Sequence, residues 1–188
     1  MNANEVLKRL EDGNARFVSD QLEHKLQDGS RRKELINEQN PWAIILSCAD
    51  SRVVPELMFD TGLGELFVIR VAGNIANTSS LASIEYAVAN LGSPVIVVLG
   101  HQNCGAVTAA IKGGDNGYNL NMLLAHVTPA VSACGTDADV NEVVKTNAQL
   151  NAKELTIRST IISNAVNEGK VKIVSGYYNL DSGKVDLM

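Results

Sequence analysis

The chain is poor in aromatic residues, with three Phe, four Tyr and one Trp among 188 residues. Its core must therefore be built mainly from Val, Ile, Leu and Ala. Proline is scarce, at four residues, and with 45% hydrophobic and 20% charged residues the composition excludes collagen-like, low-complexity and wholly disordered chains. No apolar run approaches the roughly 18 to 20 residues that a membrane-spanning helix needs. The stretch from Met1 to Phe17 is too charged for a signal peptide, so a cytoplasmic protein is expected, with no membrane partner. Positive charge is also short. Sixteen Lys and Arg face 21 Asp and Glu, giving a net charge of -5, and no basic block exceeds Arg31, Arg32, Lys33. Such a field repels phosphate backbones and argues against a nucleic-acid partner. Three cysteines, Cys48, Cys104 and Cys134, are an odd number without a secretion signal. Metal or thiol chemistry fits them better than a disulfide framework.

What is present is an alternation of short apolar runs and helical patterns, at a length that suits one domain. Residues 4 to 18 carry Val6, Leu7, Leu10 and Phe17 at helical spacing, and 30 to 39 reads as a second, polar helix that stops before Pro41. Beyond this arm, Ala43 to Ser47, Leu66 to Arg70, Pro94 to Leu99 and Lys170 to Ser175 are continuous, β-branched apolar runs, as strands covered on both faces require. Helical segments are expected over 79 to 90, 106 to 112, 119 to 132 and, with a break near its middle, 139 to 168. Residues 113 to 117 read as a loop, and 181 to 184 as a turn into a last strand ending near Leu187. The fold class is α/β: a mostly parallel four- to five-stranded sheet flanked by helices, with an N-terminal helical arm over 1 to 40 and the core over 41 to 188.

Two segments begin where an apolar strand ends: Cys48, Ala49, Asp50, Ser51, Arg52, and His101, Gln102, Asn103, Cys104. Ligands bind outside the carboxyl ends of parallel strands, so if these strands are neighbours, Cys48, His101 and Cys104 converge. A lone Cys at a strand end is more often a small buried hydrophobe, and a lone loop His is more often merely satisfied. Two Cys and one His at equivalent strand ends instead make a soft set suited to zinc, with the fourth position open as in catalytic sites. The glycines around 100 to 105 lack the spacing and the G-K-[ST] ending of a phosphate loop. Asp50 and Arg52 read either as a surface ion pair or as a carboxylate held ionised beside the metal. Cys134 has no matching motif. His24 and His126 read as structural or solvated.

The motifs C-A-D-S-R-V at 48 to 53 and G-H-Q-N-C-G-A-V at 100 to 107 resemble those of the β-class carbonic anhydrases. G-E-L-F-V-I-R at 64 to 70, A-G-N at 72 to 74 and I-E-Y-A-V at 84 to 88 extend the match, which runs from about residue 39 to the carboxyl terminus. The resemblance implies one Zn2+ per chain on Cys48, His101 and Cys104, with Asp50 and Arg52 as the catalytic pair. It implies reversible hydration of carbon dioxide to bicarbonate by zinc-bound hydroxide. Gln39, Phe67 and Tyr86 match positions lining the carbon dioxide pocket of the open-site, plant-like type, and Ala72 replaces a more usual valine there. The other type uses a Trp, an Arg and a Tyr to hold an inhibitory bicarbonate. Ile45 stands at the Trp position here, so although Arg70 fits, that site is expected to be absent or impaired. The resemblance further implies a homodimer, or a dimer of dimers, in which arms clasp a neighbour and Phe67 and Tyr86 reach the partner's zinc. An apolar arm face left open by the core would favour the same assembly. The rival readings are a carbonyl sulfide or carbon disulfide hydrolase with the same site, and a non-catalytic zinc-binding regulator.

Overall fold

A computed structural model describes residues 1–135 and 137–188. In chain order the elements are α1 (Ala3–Val18), α2 (Gly29–Glu34), β1 (Ala43–Ser47), α3 (Pro55–Met58), β2 (Leu66–Arg70), a 3-10 turn (Ala72–Asn74), α4 (Thr78–Asn90), β3 (Val95–His101), α5 (Gly105–Lys112), α6 (Tyr118–Leu124), α7 (Thr128–Cys134), α8 (Val140–Arg158), α9 (Thr160–Asn167), β4 (Lys172–Tyr178) and β5 (Val185–Leu187). The strands form one sheet in the order β2-β1-β3-β4-β5, with the first four parallel and β5 antiparallel to β4.

The apolar runs are continuous because both sheet faces are covered. Along β1 and β3, Ala43, Ile45, Val95, Val97 and Leu99 pack on the face that holds Val6 and Leu10 of α1. Their alternates Ile44, Leu46, Ile96 and Val98 pack on the opposite face with Ile84, Leu155 and Ile162 of α4, α8 and α9. Every residue of both strands is buried, and each fully buried Ile or Leu contributes about 1.5–3 kcal/mol. Those two central strands are therefore the least movable part of the molecule.

The arm differs from expectation. Val6 and Leu10 are fully buried in the chain's own core, with Leu7 and Phe17 packed at its edge. Gly13 lies so close to α3 that a Cβ there would stand 2.0 Å from the Phe59 carbonyl oxygen. Asn14, also buried, donates to the carbonyls of Met58 (3.1 Å) and Gly183 (2.9 Å) and accepts from the Val185 N–H (2.8 Å). The open apolar face expected of the arm is thus closed within one chain.

Smaller departures have local causes. The segment expected as one helix over 119 to 132 is two, with Pro129 in the first turn of α7, where its missing N–H is harmless. The long helix breaks at Ser159, whose extended backbone and side chain cap α9. The polar helix of the arm ends at Glu34 rather than near 39. The third strand continues through His101, and the fourth begins and ends later than its apolar run suggests.

Candidate metal centre

The strand order reverses between β1 and β3: the chain leaves β1 for β2 on one side and returns to β3 on the other. Connections diverge there and leave a crevice at the carboxyl ends of the strands. Ser47 pairs with Leu99, so the residues just beyond both strands meet. The Sγ atoms of Cys48 and Cys104 are 4.0 Å apart. Together with a ring nitrogen of His101 they lie within 4.8 Å of one another. Cys48 is 4% exposed, and Cys104 and His101 are wholly buried.

The His101 Nδ1 lies 2.9 Å from the Gln102 carbonyl oxygen. That acceptor fixes the proton on Nδ1 and leaves the Nε2 lone pair free. Nε2 is buried and has no hydrogen-bond partner among the described residues, a condition that costs about 1–3 kcal/mol unless something is bound there. Two sulfurs on a tetrahedral zinc, each about 2.3 Å from it, would stand roughly 3.8 Å apart, close to the observed spacing. The donors thus fit a soft divalent metal. The Cys104 thiol, hydrogen-bonded to Cys48, draws the Cys48 thiol well below the usual thiol range against the effect of burial, with help from His101 and the backbone N–H groups of Asp50 and Gly73, while Cys104 itself is pushed up.

Asp50 sits at the mouth of the site. Its Oδ1 accepts from the Arg52 backbone N–H (3.0 Å) and Nε (2.9 Å), and its Oδ2 accepts from Nη2 (2.8 Å). This bidentate pair, above all, holds the carboxyl well below the usual carboxylate range. The bookkeeping leaves Oδ2 one lone pair, and Oδ2 is the oxygen 3.8 Å from His101 Nε2. The structure thus brings Asp50 and Arg52 together beside Cys48, His101 and Cys104.

Three residues support the site in ways the sequence did not suggest, among them Arg70, considered there only for a bicarbonate site. Arg70 at the end of β2 donates to the carbonyls of Cys48 (3.1 Å) and Asp50 (2.7 Å), so its guanidinium braces the Cys48–Asp50 loop. Gly73 donates its N–H to Cys48 Sγ at 3.4 Å. Gln102 is clamped to the β4–β5 connection: its Oε1 accepts from Leu180 (2.8 Å) and Asp181 (3.2 Å), and its backbone N–H donates to Tyr178 (2.8 Å). The motif A-G-N at 72 to 74 was the only signal for Gly73.

The remaining expected residues gather elsewhere. Phe67 and Tyr86 have ring centroids 6.3 Å apart. Phe67 pairs with Ile44, three residues before Ser47, roughly 10 Å back along the strand from the metal end. Gln39 and Tyr86 line an open cavity of about 510 Å³ with Leu35, Ile36, Asn90 and Leu91. Cys134 lies apart, donating to Thr146 Oγ1 at 3.1 Å. His24 sits beside Asp60, and His126 lines a separate cavity with Glu154 and Arg158.

The sequence profile of the carbonic anhydrase family matches residues 43–185. A carbonic anhydrase of Mycolicibacterium smegmatis is 41% identical over 195 residues, covering 99% of this chain and 94% of the relative. Carbonic anhydrase 2 of Mycobacterium tuberculosis is 39% identical over 186 residues, covering 96% and 90%. Among solved structures, a tetrameric β-carbonic anhydrase of Sordaria macrospora superposes with a TM-score of 0.76 at 24% identity, covering 98% of this chain and 97% of the other, and shares the fold. The Coccomyxa β-carbonic anhydrase in complex with acetazolamide superposes at 0.74 and 25% identity, covering 85% and 77%.

Proposed function

Because the chain belongs to the β-carbonic anhydrase family, we propose that it binds one Zn2+ on Cys48, His101 and Cys104 and interconverts carbon dioxide and bicarbonate. The observation that carries this reading is the buried, partnerless Nε2 of His101 facing two thiols at zinc spacing. Zinc bound there supplies the Lewis acidity that ionises water at neutral pH.

The chain's own residues do the rest. Cys48 and Cys104 provide two negative charges that neutralise the ion, and His101 adds a neutral donor whose ring is locked by the Gln102 carbonyl. Asp50, ionised and held by Arg52, offers its one free lone pair on Oδ2 to the hydrogen of the attacking oxygen. That hydrogen bond turns a lone pair toward the substrate carbon. The arrangement costs no reorganisation at the moment of reaction, because Arg52 has already fixed the carboxylate. The proton leaves to solvent buffer, since His24 and His126 stand outside the site.

Gln39, Phe67 and Tyr86 form the substrate side of the pocket. Within one chain they lie apart from the metal donors, which supports a homodimer in which they complete the neighbour's site. Phe67 and Tyr86 give carbon dioxide an apolar slot, and Gln39 donates to one of its oxygens. The whole chain then acts as a single domain, with residues 1 to 40 as the arm and 41 to 188 as the zinc core. Zinc analysis combined with a stopped-flow hydration assay tests the reading. One zinc per chain with hydration that chelation abolishes is the expected result. A zinc-loaded protein that releases sulfide from carbonyl sulfide but leaves carbon dioxide untouched would overturn it.

A further inference from the structure

Helix α8 carries two buried asparagines one turn apart, Asn147 at 1% and Asn151 at 4% exposure. Asparagine is a poor residue for a helix interior, and burying its amide is costly unless every polar atom is used. Here the amides are used on a single target. Asn147 Nδ2 donates to the Gly73 carbonyl at 2.8 Å. Asn151 Nδ2 donates to the Asn147 side-chain oxygen at 3.0 Å and to its backbone oxygen at 2.9 Å, while its Oδ1 accepts from the Ala76 N–H at 2.7 Å. The partners leave one orientation for each amide, since a carbonyl demands a donor and an N–H an acceptor.

The turn that these amides grip touches the metal centre. The peptide between Gly73 and Asn74 is held on both sides, its carbonyl by Asn147 and its N–H by the Val71 carbonyl at 2.9 Å. Gly73 has φ +73°, a conformation strained for any other residue. With that conformation fixed, the preceding peptide directs the Gly73 N–H at Cys48 Sγ, 3.4 Å away. Helix α8 packs closely on β3: at Gly100 a Cβ would stand 2.8 Å from Val144 Cγ1. Two contacts in series therefore lead from α8 to the Cys48 sulfur, Asn147 to the Gly73 carbonyl and the Gly73 N–H to Sγ.

We propose that Asn147, supported by Asn151, is a positioning residue of the metal centre, holding the Gly73 N–H on the Cys48 sulfur and so strengthening retention of zinc. An N–H donated to a ligand thiolate spreads its charge and orients its lone pairs, and loss of such outer contacts typically weakens a site 10- to 100-fold. The proposal rests on the zinc reading of the site.

The test compares Asn147→Asp, which keeps the size but replaces the donor with an acceptor, and Asn147→Ala, which favours the helix but removes the amide. Leu155→Ala serves as control, a buried apolar α8 residue about two turns beyond Asn147 that offers no hydrogen bond to the Ala72–Asn74 turn. Zinc affinity is measured by chelator competition, and the cobalt(II)-substituted proteins are compared by their sulfur-to-metal charge-transfer absorption. Both Asn147 variants are expected to bind zinc roughly 10- to 100-fold more weakly and to shift the cobalt band, while Leu155→Ala loses thermal stability with affinity and band unchanged. Unchanged affinity and spectrum in the Asn147 variants, or the same losses in Leu155→Ala, would overturn the positioning role. A wild-type chain that binds no zinc would instead overturn the function proposed above.

Discussion

At the carboxyl end of the sheet, Cys48, His101 and Cys104 are almost wholly buried, and each is fixed by bonds from its own chain. On the flank of the same sheet, Tyr86 is 51% exposed and lines an open depression beside Gln39. Donors for a metal must be held within a few tenths of an ångström, so they are placed at the ends of buried strands and braced by Arg70, Gly73 and Gln102. A pocket for a small apolar molecule needs only walls, and a second copy of the chain can supply one of them. The first region therefore gathers its donors within one chain, whereas the second lies open at the surface.

The sharpest way to break this comparison is at the metal donors. Cys48→Ser and His101→Ala should each reduce zinc from one per chain to near zero and bring hydration down to the uncatalysed rate, whereas Cys134→Ser should keep both. Metal analysis beside stopped-flow assay checks this, and full zinc in Cys48→Ser would show that the buried trio is not the metal site.

Next in size, Asp50→Asn should retain zinc and lose about 10²- to 10³-fold in kcat, the scale of one preorganised polar contact in a transition state. Arg52→Ala should fall less, because it frees the carboxylate without removing it. Wild-type turnover in both would reduce the pair to a surface contact.

On the exposed side, Tyr86→Ala should cost only about tenfold in kcat/KM, roughly the 1.4 kcal/mol of a lost apolar wall, with zinc unchanged. Mixing Asp50→Asn chains with Tyr86→Ala chains sharpens the point. If walls come from the neighbour, each mixed dimer regains one intact site, and activity exceeds that of either parent. No gain on mixing would mean that each chain closes its own pocket.

The arm gives the smallest effects, on stability rather than chemistry. Asn14→Ala should lower unfolding free energy by about 1–3 kcal/mol, since three backbone groups, two of them in buried bonds, lose their partner, with the absorption of the cobalt-substituted site unaltered. Burial pushes the Asp60 carboxyl up, but Arg16 and the N–H groups of Glu23 and His24 outweigh it and leave it lowered. Its contribution is therefore full above the unfolded value of about 3.9 and lost as pH falls through the lower, folded one. Denaturant titrations across acid pH should show that loss in the wild type and a flatter profile in Asp60→Asn.

Much of the fold is legible in the sequence. The apolar runs at 43 to 47 and 66 to 70 coincide with β1 and β2, because a strand covered on both faces has no polar position to disguise it. Cys48, Asp50, Arg52, His101 and Cys104 were legible because their spacing places them at strand ends. The place of a helix break is harder to read: the stretch over 139 to 168 is expected to break near its middle and breaks later, at Ser159, whose side chain caps the next helix. Asn147 and Asn151 were invisible, since a buried amide and a solvated one look alike in a sequence.

The β-branched runs determined on their own the α/β class, the segments at 48 to 52 and 101 to 104 the grouping of Cys48, His101 and Cys104, and the likeness of those motifs to a known family the family itself. They could do so because strand periodicity and ligand chemistry are local properties of residue type and order. Only the tertiary structure decided that the arm covers its own core, that Arg70 braces the Cys48–Asp50 loop, and that α8 reaches the turn beside Cys48. Each depends on contacts between residues 20 or more positions apart, whose partners are chosen by packing and the need to satisfy buried polar groups rather than by any local pattern.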